Sequence, residues 1–280
     1  MRRFFAHAAL FLNICLGVLT TIGQAQTPPR PSSPSAGSNS PAAPSEASAG
    51  KPAPGGTEGL GDFTALVRLS RDYDVWIDTR RKVVVVDGNI ALREGLLEMF
   101  ACPKGTKEHE SIVAVNCNAQ FVHAGLIAVG AEPGSPVAFA PEYKAATGPV
   151  IDVWVLWKDE RGQSQKVKAQ EWILQTKTNK TMEYPWVFAG SAVTVDEQSG
   201  KKYYLADGGD FICVSNFTSA MLDLPVESSQ SNSDLSFRAN TPRIPPLGTA
   251  VRLVLEPRPA APAPKGKPSA GNSSSPTPKR

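Results

Sequence analysis

Between Val75 and Leu255 the apolar residues arrive in short runs separated by charged or glycine-bearing turns, a pattern that predicts strands more than long helices. Val75-Trp76-Ile77-Asp78 is followed by Arg80-Arg81, then by Lys82 to Val86 ending in Asp87-Gly88-Asn89. β-Branched runs cut in this way predict an antiparallel meander. Leu96 to Ala101 predicts a further strand that delivers the chain to Cys102-Pro103-Lys104-Gly105, where Pro and Gly hold the second and fourth positions of a β-turn. Glu110 to Asn116 reads as the next strand. Val150 to Lys158 and Lys166 to Leu174 predict a hairpin about Asp159-Glu160-Arg161-Gly162. Trp154 and Leu156 share one side of its first strand and Ile151, Val153, Val155 and Trp157 the other, so this strand is expected to be central. Trp186 to Ser191, Lys202 to Ala206, Phe211 to Ser215 and Val251 to Leu255 complete the strands, and Thr218 to Leu224 reads as a short helix.

One segment departs clearly from this pattern. Ala119 to Val129 is preceded by Asn118, a good helix cap, and ended by Gly130. Phe121, Val122, Leu126, Ile127 and Val129 are spread around the resulting helix, which is therefore expected to be buried. The predicted class is α+β, mostly antiparallel strands with one buried helix at about residues 118–129.

Composition divides the chain. Met1-Arg2-Arg3, an apolar run from Phe4 to Ile22 and the small-residue end Gly23-Gln24-Ala25 read as a signal peptide, residues 1–25, that directs export to the periplasm or the extracellular space. His7 and Asn13 interrupt the apolar run and disfavour a permanent span, so no stable transmembrane helix is expected after cleavage. Residues 26–59 are Pro, Ser, Ala and Gly with too little apolar surface to offset the entropy of ordering, and the basic tail 258–280 repeats that composition. A single domain is left at 60–257. The whole chain carries a formal charge of +3, but residues 60–257 hold 20 Lys+Arg against 24 Asp+Glu, a balance of −4. No basic face for tracking phosphates is indicated, and a nucleic-acid partner is not expected.

Candidate chemistry concentrates between Cys102 and Gly130, which contains both histidines outside the signal and two of the three cysteines left when Cys15 departs. In an extended strand His109, Ser111 and Val113 share one face, so His109 is expected to point inward beside Ser111. Several readings stay open. His109 and His123 as ordinary core histidines would be hydrogen-bonded to backbone or Ser111. As metal ligands, with Cys102 or Glu110 as a third, they would suit zinc or copper, although Cys-x6-His-x13-His matches no standard zinc signature. Cys102 as a nucleophile would need its pKa lowered by Lys104 and Lys107, and the competing fate of that thiol is a disulfide to Cys117 or Cys213. Lys104, Lys107, Glu110 and Ser111 are the candidate ligand-binding side chains. Asp207, Asp210 and Asp223 suggest calcium, but Asp207-Gly208-Gly209-Asp210 lacks the spaced oxygens of a calcium loop and a tight turn explains it. No serine-hydrolase elbow surrounds Ser111, Ser191 or Ser215, and no phosphate-binding glycine loop is present.

The words Cys102 to Ser111, Val122-His123-Ala124, Gln170-Glu171-Trp172, Trp186 to Ser191, Asp210 to Phe217, Ala220 to Pro225 and Asn240 to Pro246 resemble the YdjY-domain proteins of bacterial envelopes across about residues 70–256. The resemblance implies an exported, Pro-rich-linked chain and brings no established activity or catalytic residues with it. Some relatives are labelled ferredoxin-like. This chain has no Cys-x-x-Cys pair and too few cysteines for four-thiolate ligation, so no iron–sulfur cluster is expected. The leading expectation is an envelope domain that binds a ligand, a metal or another envelope component through the Cys102 to His123 segment. A metal- or thiol-dependent hydrolase or redox enzyme is the enzymatic alternative. A protein-interaction module using the polar loop 227–239 is the third. N-terminal sequencing of the secreted protein is expected to begin at Gln26; recovery of the intact amino terminus in the membrane fraction would make the apolar run an anchor instead.

Overall fold

The structure is a computed structural model that describes residues 60–63, 65–231 and 236–259. The signal peptide, the linker and the tail beyond residue 259 lie outside the described residues. The strands in chain order are β1 (Leu66–Arg68), β2 (Val75–Asp78), β3 (Val83–Ile90), β4 (Leu96–Leu97), β5 (Met99–Pro103), β6 (Ser111–Val115), β7 (Val150–Lys158) and β8 (Ser164–Lys168). They continue with β9 (Ile173–Gln175), β10 (Trp186–Phe188), β11 (Val193–Val195), β12 (Lys202–Tyr204), β13 (Ile212–Cys213), β14 (Leu222–Asp223), β15 (Phe237–Ala239) and β16 (Ala250–Pro257). The α-helix α1 (Ala119–Ala128) follows β6, and short 3-10 turns occupy Glu108–Glu110, Ala169–Trp172, Leu205–Gly208 and Thr241–Arg243.

Eight strands close on themselves in the order β3-β16-β7-β10-β14-β13-β5-β6, with β6 returning to β3. The register shows what this closed ring encloses. Val86 faces Leu253, Leu253 faces Val155, Ile151 faces Trp186, and Phe188 faces Leu222. Leu222 then faces Ile212, Ile212 faces Ala101, Ala101 faces Val113, and Val113 faces Ile90 back on β3. All of these side chains belong to one buried apolar cluster, so each barrel strand contributes to a common core. β3 and β7 branch. Each pairs with β16 along one edge, while the other edge first serves the barrel and then an extension, β2 and β1 beyond β3 and β8 beyond β7. The opposite faces of these strands carry a second cluster of Val83, Val85, Val254 and Leu156 beneath Leu60.

The fold is thus mostly β, a mixed eight-stranded barrel with one α-helix, where the sequence suggested α+β. Two pairs, β5 with β6 and β13 with β14, are parallel. Within residues 218–224, where a short helix was expected, only Leu222–Asp223 is regular and it is the strand β14, because the Met221 and Leu222 amides donate to the carbonyls of Asp210 and Phe211. The helix is half-buried. Ala119, Val122, Gly125 and Leu126 face the core, and Ile127 is 50% exposed on the outer side. Asn118 makes no side-chain cap. Asp207 supplies that bond from a distant turn, its Oδ1 accepting the Gln120 amide at 3.1 Å.

Closure at the β3–β6 seam requires a residue without a side chain at Gly88, where a Cβ would lie 2.4 Å from the Ala114 carbonyl oxygen. Substitution Gly88→Ala is expected to lower unfolding free energy by about 2–4 kcal/mol in urea denaturation. An unchanged midpoint would contradict this seam.

Candidate functional site

The residues singled out from the sequence fall in different surroundings. Cys102 lies in β5, fully buried, and burial pushes its thiol above the usual range despite the Ser111 and Thr106 hydroxyls and the Lys107 backbone, which favour the thiolate. Lys104 is exposed at the turn, and the Lys107 ammonium is turned toward Asp210. The electrostatics at Cys102 therefore run against an activated nucleophile. Cys102, Cys117 and Cys213 are all buried and free. Burial, with Asp207 and Asp74 nearby, pushes Cys117 up to about 12.

His109 occupies a 3-10 turn ahead of β6, not the strand itself, and its side chain is 77% exposed. The strand in which it was expected to alternate inward begins two residues later, at Ser111. Ser111, the first residue of β6, is buried as expected. His109 Nε2 lies 4.0 Å from Glu110 Oε1, an ion-pair distance only when the ring is protonated. Among the described residues no three His, Cys, Asp or Glu side chains gather closely enough to hold a metal ion, so Cys102, His109 and His123 assemble no shared centre.

His123 stands on the inner side of α1 in a small polar pocket. Its Nδ1 is 2.9 Å from the Tyr204 hydroxyl, which donates in turn to the Gly190 carbonyl at 3.1 Å. That direction makes Nδ1 the donor and leaves Nε2 with its lone pair. The rings of Phe188 and Tyr204 meet it edge-on at centroid distances of 4.9 and 5.4 Å. Burial lowers the His123 pKa below its ordinary value, so the imidazole is neutral at neutral pH.

A polar belt runs from this pocket across the barrel. Ser191 Oγ accepts the Ala206 amide at 3.1 Å and donates to the Ser219 carbonyl at 2.6 Å. The Ser219 hydroxyl donates to Asp210 Oδ2, and Asp210 Oδ1 receives the Lys107 ammonium at 3.0 Å. Lys107 also reaches Glu110 at 3.6 Å and lies 4.9 Å over the Phe217 ring. Burial alone would lower the Lys107 pKa, but the hydrogen bond and charge of Asp210, with Glu110, hold it above the ordinary value. Glu98 joins from the β4–β5 junction. Partial burial, the charge of Glu110 and a side-chain hydrogen bond to it raise the Glu98 pKa above the ordinary carboxylate value, with Lys107 opposing the rise. Beneath the belt, fully buried Asp223 accepts the Leu224 amide at 2.8 Å through Oδ1 while Oδ2 has no geometric hydrogen-bond partner among the described residues, and burial lifts its pKa to about 8.

Glu98, Asp210, Ser219 and Tyr204 were not selected from the sequence as members of one site. The turn reading of Asp207 to Asp210 was correct locally yet concealed that Asp210 receives a lysine from more than a hundred positions earlier. The available signal was the word Asp210 to Phe217, one of the stretches that carried the family resemblance.

A closed mixed β-barrel, capped by one helix and crossed by a polar belt on its β5–β13–β14–β10 half, defines the class of domain. The chain belongs to the YdjY domain family, whose family model matches residues 75–256. No curated protein and no solved structure matches it.

Asp223 yields a pH prediction. Its folded-state pKa exceeds the ordinary carboxylate value, so the folded protein holds this proton more tightly than the unfolded chain. The group's contribution is most favourable in acid and is lost progressively as pH rises from about 4 to about 8. Asp223→Asn removes the ionisation and is expected to gain up to a few kcal/mol relative to the parent between those limits. Parallel stability curves for the two proteins over pH 5–8, from urea unfolding, would refute the raised pKa.

Proposed function

We propose that this chain is an exported cell-envelope domain that binds a small polar ligand at Lys107, Glu110 and Asp210. The observation that carries the reading is the fixed, half-buried ammonium of Lys107, held by Asp210 and Glu110 above Phe217, beside the Glu98–Glu110 carboxyl pair. A lysine with these partners stays charged and loses little side-chain freedom on binding. Groups of both signs sit within one hydrogen bond of each other, which suits a ligand carrying an amine and a carboxylate, such as a short peptide. His109, exposed beside Glu110, adds a further donor at the edge. The signal and linker of the sequence support delivery of this surface outside the cytoplasm. Binding is favoured over thiol chemistry because the cysteines are buried and Cys102 is held in its protonated form.

Titration of the full mature chain with glycylglycine, followed by amide NMR shifts, tests the reading. Saturable shifts are expected within residues 104–111 and 207–219, and Lys107→Ala is expected to weaken them about tenfold or more. No saturable change up to ~20 mM dipeptide, a concentration already corresponding to very weak binding, would overturn it.

A further inference from the structure

The outward faces of β3, β16 and β7 carry a cleft of about 400 Å³ on the second apolar cluster, separate from the polar belt. Val83, Val254 and Leu156 make its floor, one from each strand, and the rings of Trp154 and Phe63 line it. Phe63 is brought there by residues 60–63, which cross the sheet and are pinned to it. Leu60 is buried, and its carbonyl accepts Arg252 Nη1 at 3.1 Å while the same guanidinium grips both Asp87 oxygens at 2.7 and 2.9 Å. Gly61 permits the close crossing with φ +76°; a Cβ there would meet the Phe63 ring and come within 3.1 Å of Leu156.

The charges at the rim are unequal in their commitments. Glu256 accepts the Trp154 indole N–H at 3.1 Å, and exposed Asp62 is reached by Arg81 at 3.3 Å. Arg81 also lies 5.2 Å over the Phe63 ring. Lys166 sits 4.3 Å over Trp154 with Lys168 at 5.3 Å, and among the described residues neither has a carboxylate ion-pair partner. An apolar floor between two aromatic rings thus opens onto a rim of both signs, where Arg81 is shared with exposed Asp62, Glu256 is turned to the Trp154 indole, and the Lys166 and Lys168 ammonium groups have no ion-pair partner among the described residues. The volume lies in the range of small-molecule sites. A neutral sugar would find no polar group on the floor to receive its hydroxyls.

We propose that this cleft binds a small ring-bearing anion, an aromatic carboxylate, with its ring on Leu156 and Val254 between Trp154 and Phe63 and its carboxylate at Lys166 and Arg81. Isothermal titration of the full mature chain with 2-naphthoate tests this. One saturable site is expected. Lys166→Glu should weaken it at least tenfold, Lys166→Arg should retain it within about threefold, and Trp154→Ala should remove measurable binding. Each variant is checked for a native unfolding transition, and Lys107→Ala is expected to leave naphthoate binding unchanged, which separates this cleft from the dipeptide site. The proposal is overturned by absence of saturable binding up to ~5 mM, by equal binding of 2-naphthylmethylammonium, or by a folded Lys166→Glu protein that binds as the parent does.

Discussion

The structure depends on the last strand of the domain. β16 fills the gap between β3 and β7 and pairs with both along nearly its whole length, so the facing edges of β3 and β7 are both closed, while β2 and β6 cover the outer edge of β3, and β8 and β10 that of β7. Its inward residues Val251, Leu253 and Leu255 complete the barrel core, and Val254 helps floor the opposite face. Leaving Arg252 on that outer face forces a charge to lie near the sheet. The bidentate bond to Asp87 and the carbonyl of Leu60 satisfy it there. Because β3 and β16 are far apart in the chain, closing the barrel must overcome a large loop entropy before the pairing is gained.

The two halves of the barrel are built differently. The β3–β16–β7 spine has long strands and nearly continuous ladders. Across from it, β10, β13 and β14 run for only two or three residues. There the backbone leaves regular pairing early, and side chains take over part of its hydrogen bonding: Ser191 holds the Ala206 amide, Trp186 donates to the Cys213 carbonyl at 2.6 Å, and Asn216 donates to the Leu224 carbonyl at 2.8 Å. Polar groups accumulate where the ladder is short because buried carbonyls and amides must still be satisfied. That requirement brings the polar belt and the buried Asp223 to the same half, and gives the domain a polar flank on an otherwise apolar barrel. The outer face of the spine has the opposite character, an apolar cleft whose aromatic rings are dressed by cations.

Much of the local structure could be read directly from the residues. The alternation in Val150 to Lys158, with large apolar side chains on both faces, required burial on both sides, and β7 indeed lies between β16 on one edge and β10 and β8 on the other. Lys202–Tyr204 falls within the strand expected at Lys202 to Ala206, whereas its hairpin partner Val193–Val195 was not expected. Patterns that depend on distant partners were misread. Asn118 is a suitable cap in isolation, but the bond came from Asp207; Thr218 to Leu224 had no strong local preference and took the strand pairing offered by Phe211. His109 was expected to point inward because period-two alternation was carried past the start of β6 into a 3-10 turn, where that alternation does not apply.

The sequence by itself determined a strand-rich domain with one helix, indicated the apolar strand positions that form the core, and marked the words that identify the family. Those properties follow from side-chain polarity and periodicity, which are local. Only the tertiary structure decided that the strands close into a barrel, that Lys107 meets Asp210, and that Cys102, His109 and His123 have three separate environments. The segment from Cys102 to His123 is close in sequence, but a turn, a buried strand and a helix point its side chains in different directions. The partners that set their charge and reactivity come from the later half of the chain, and no local pattern specifies which distant residues a closed sheet will bring beside them.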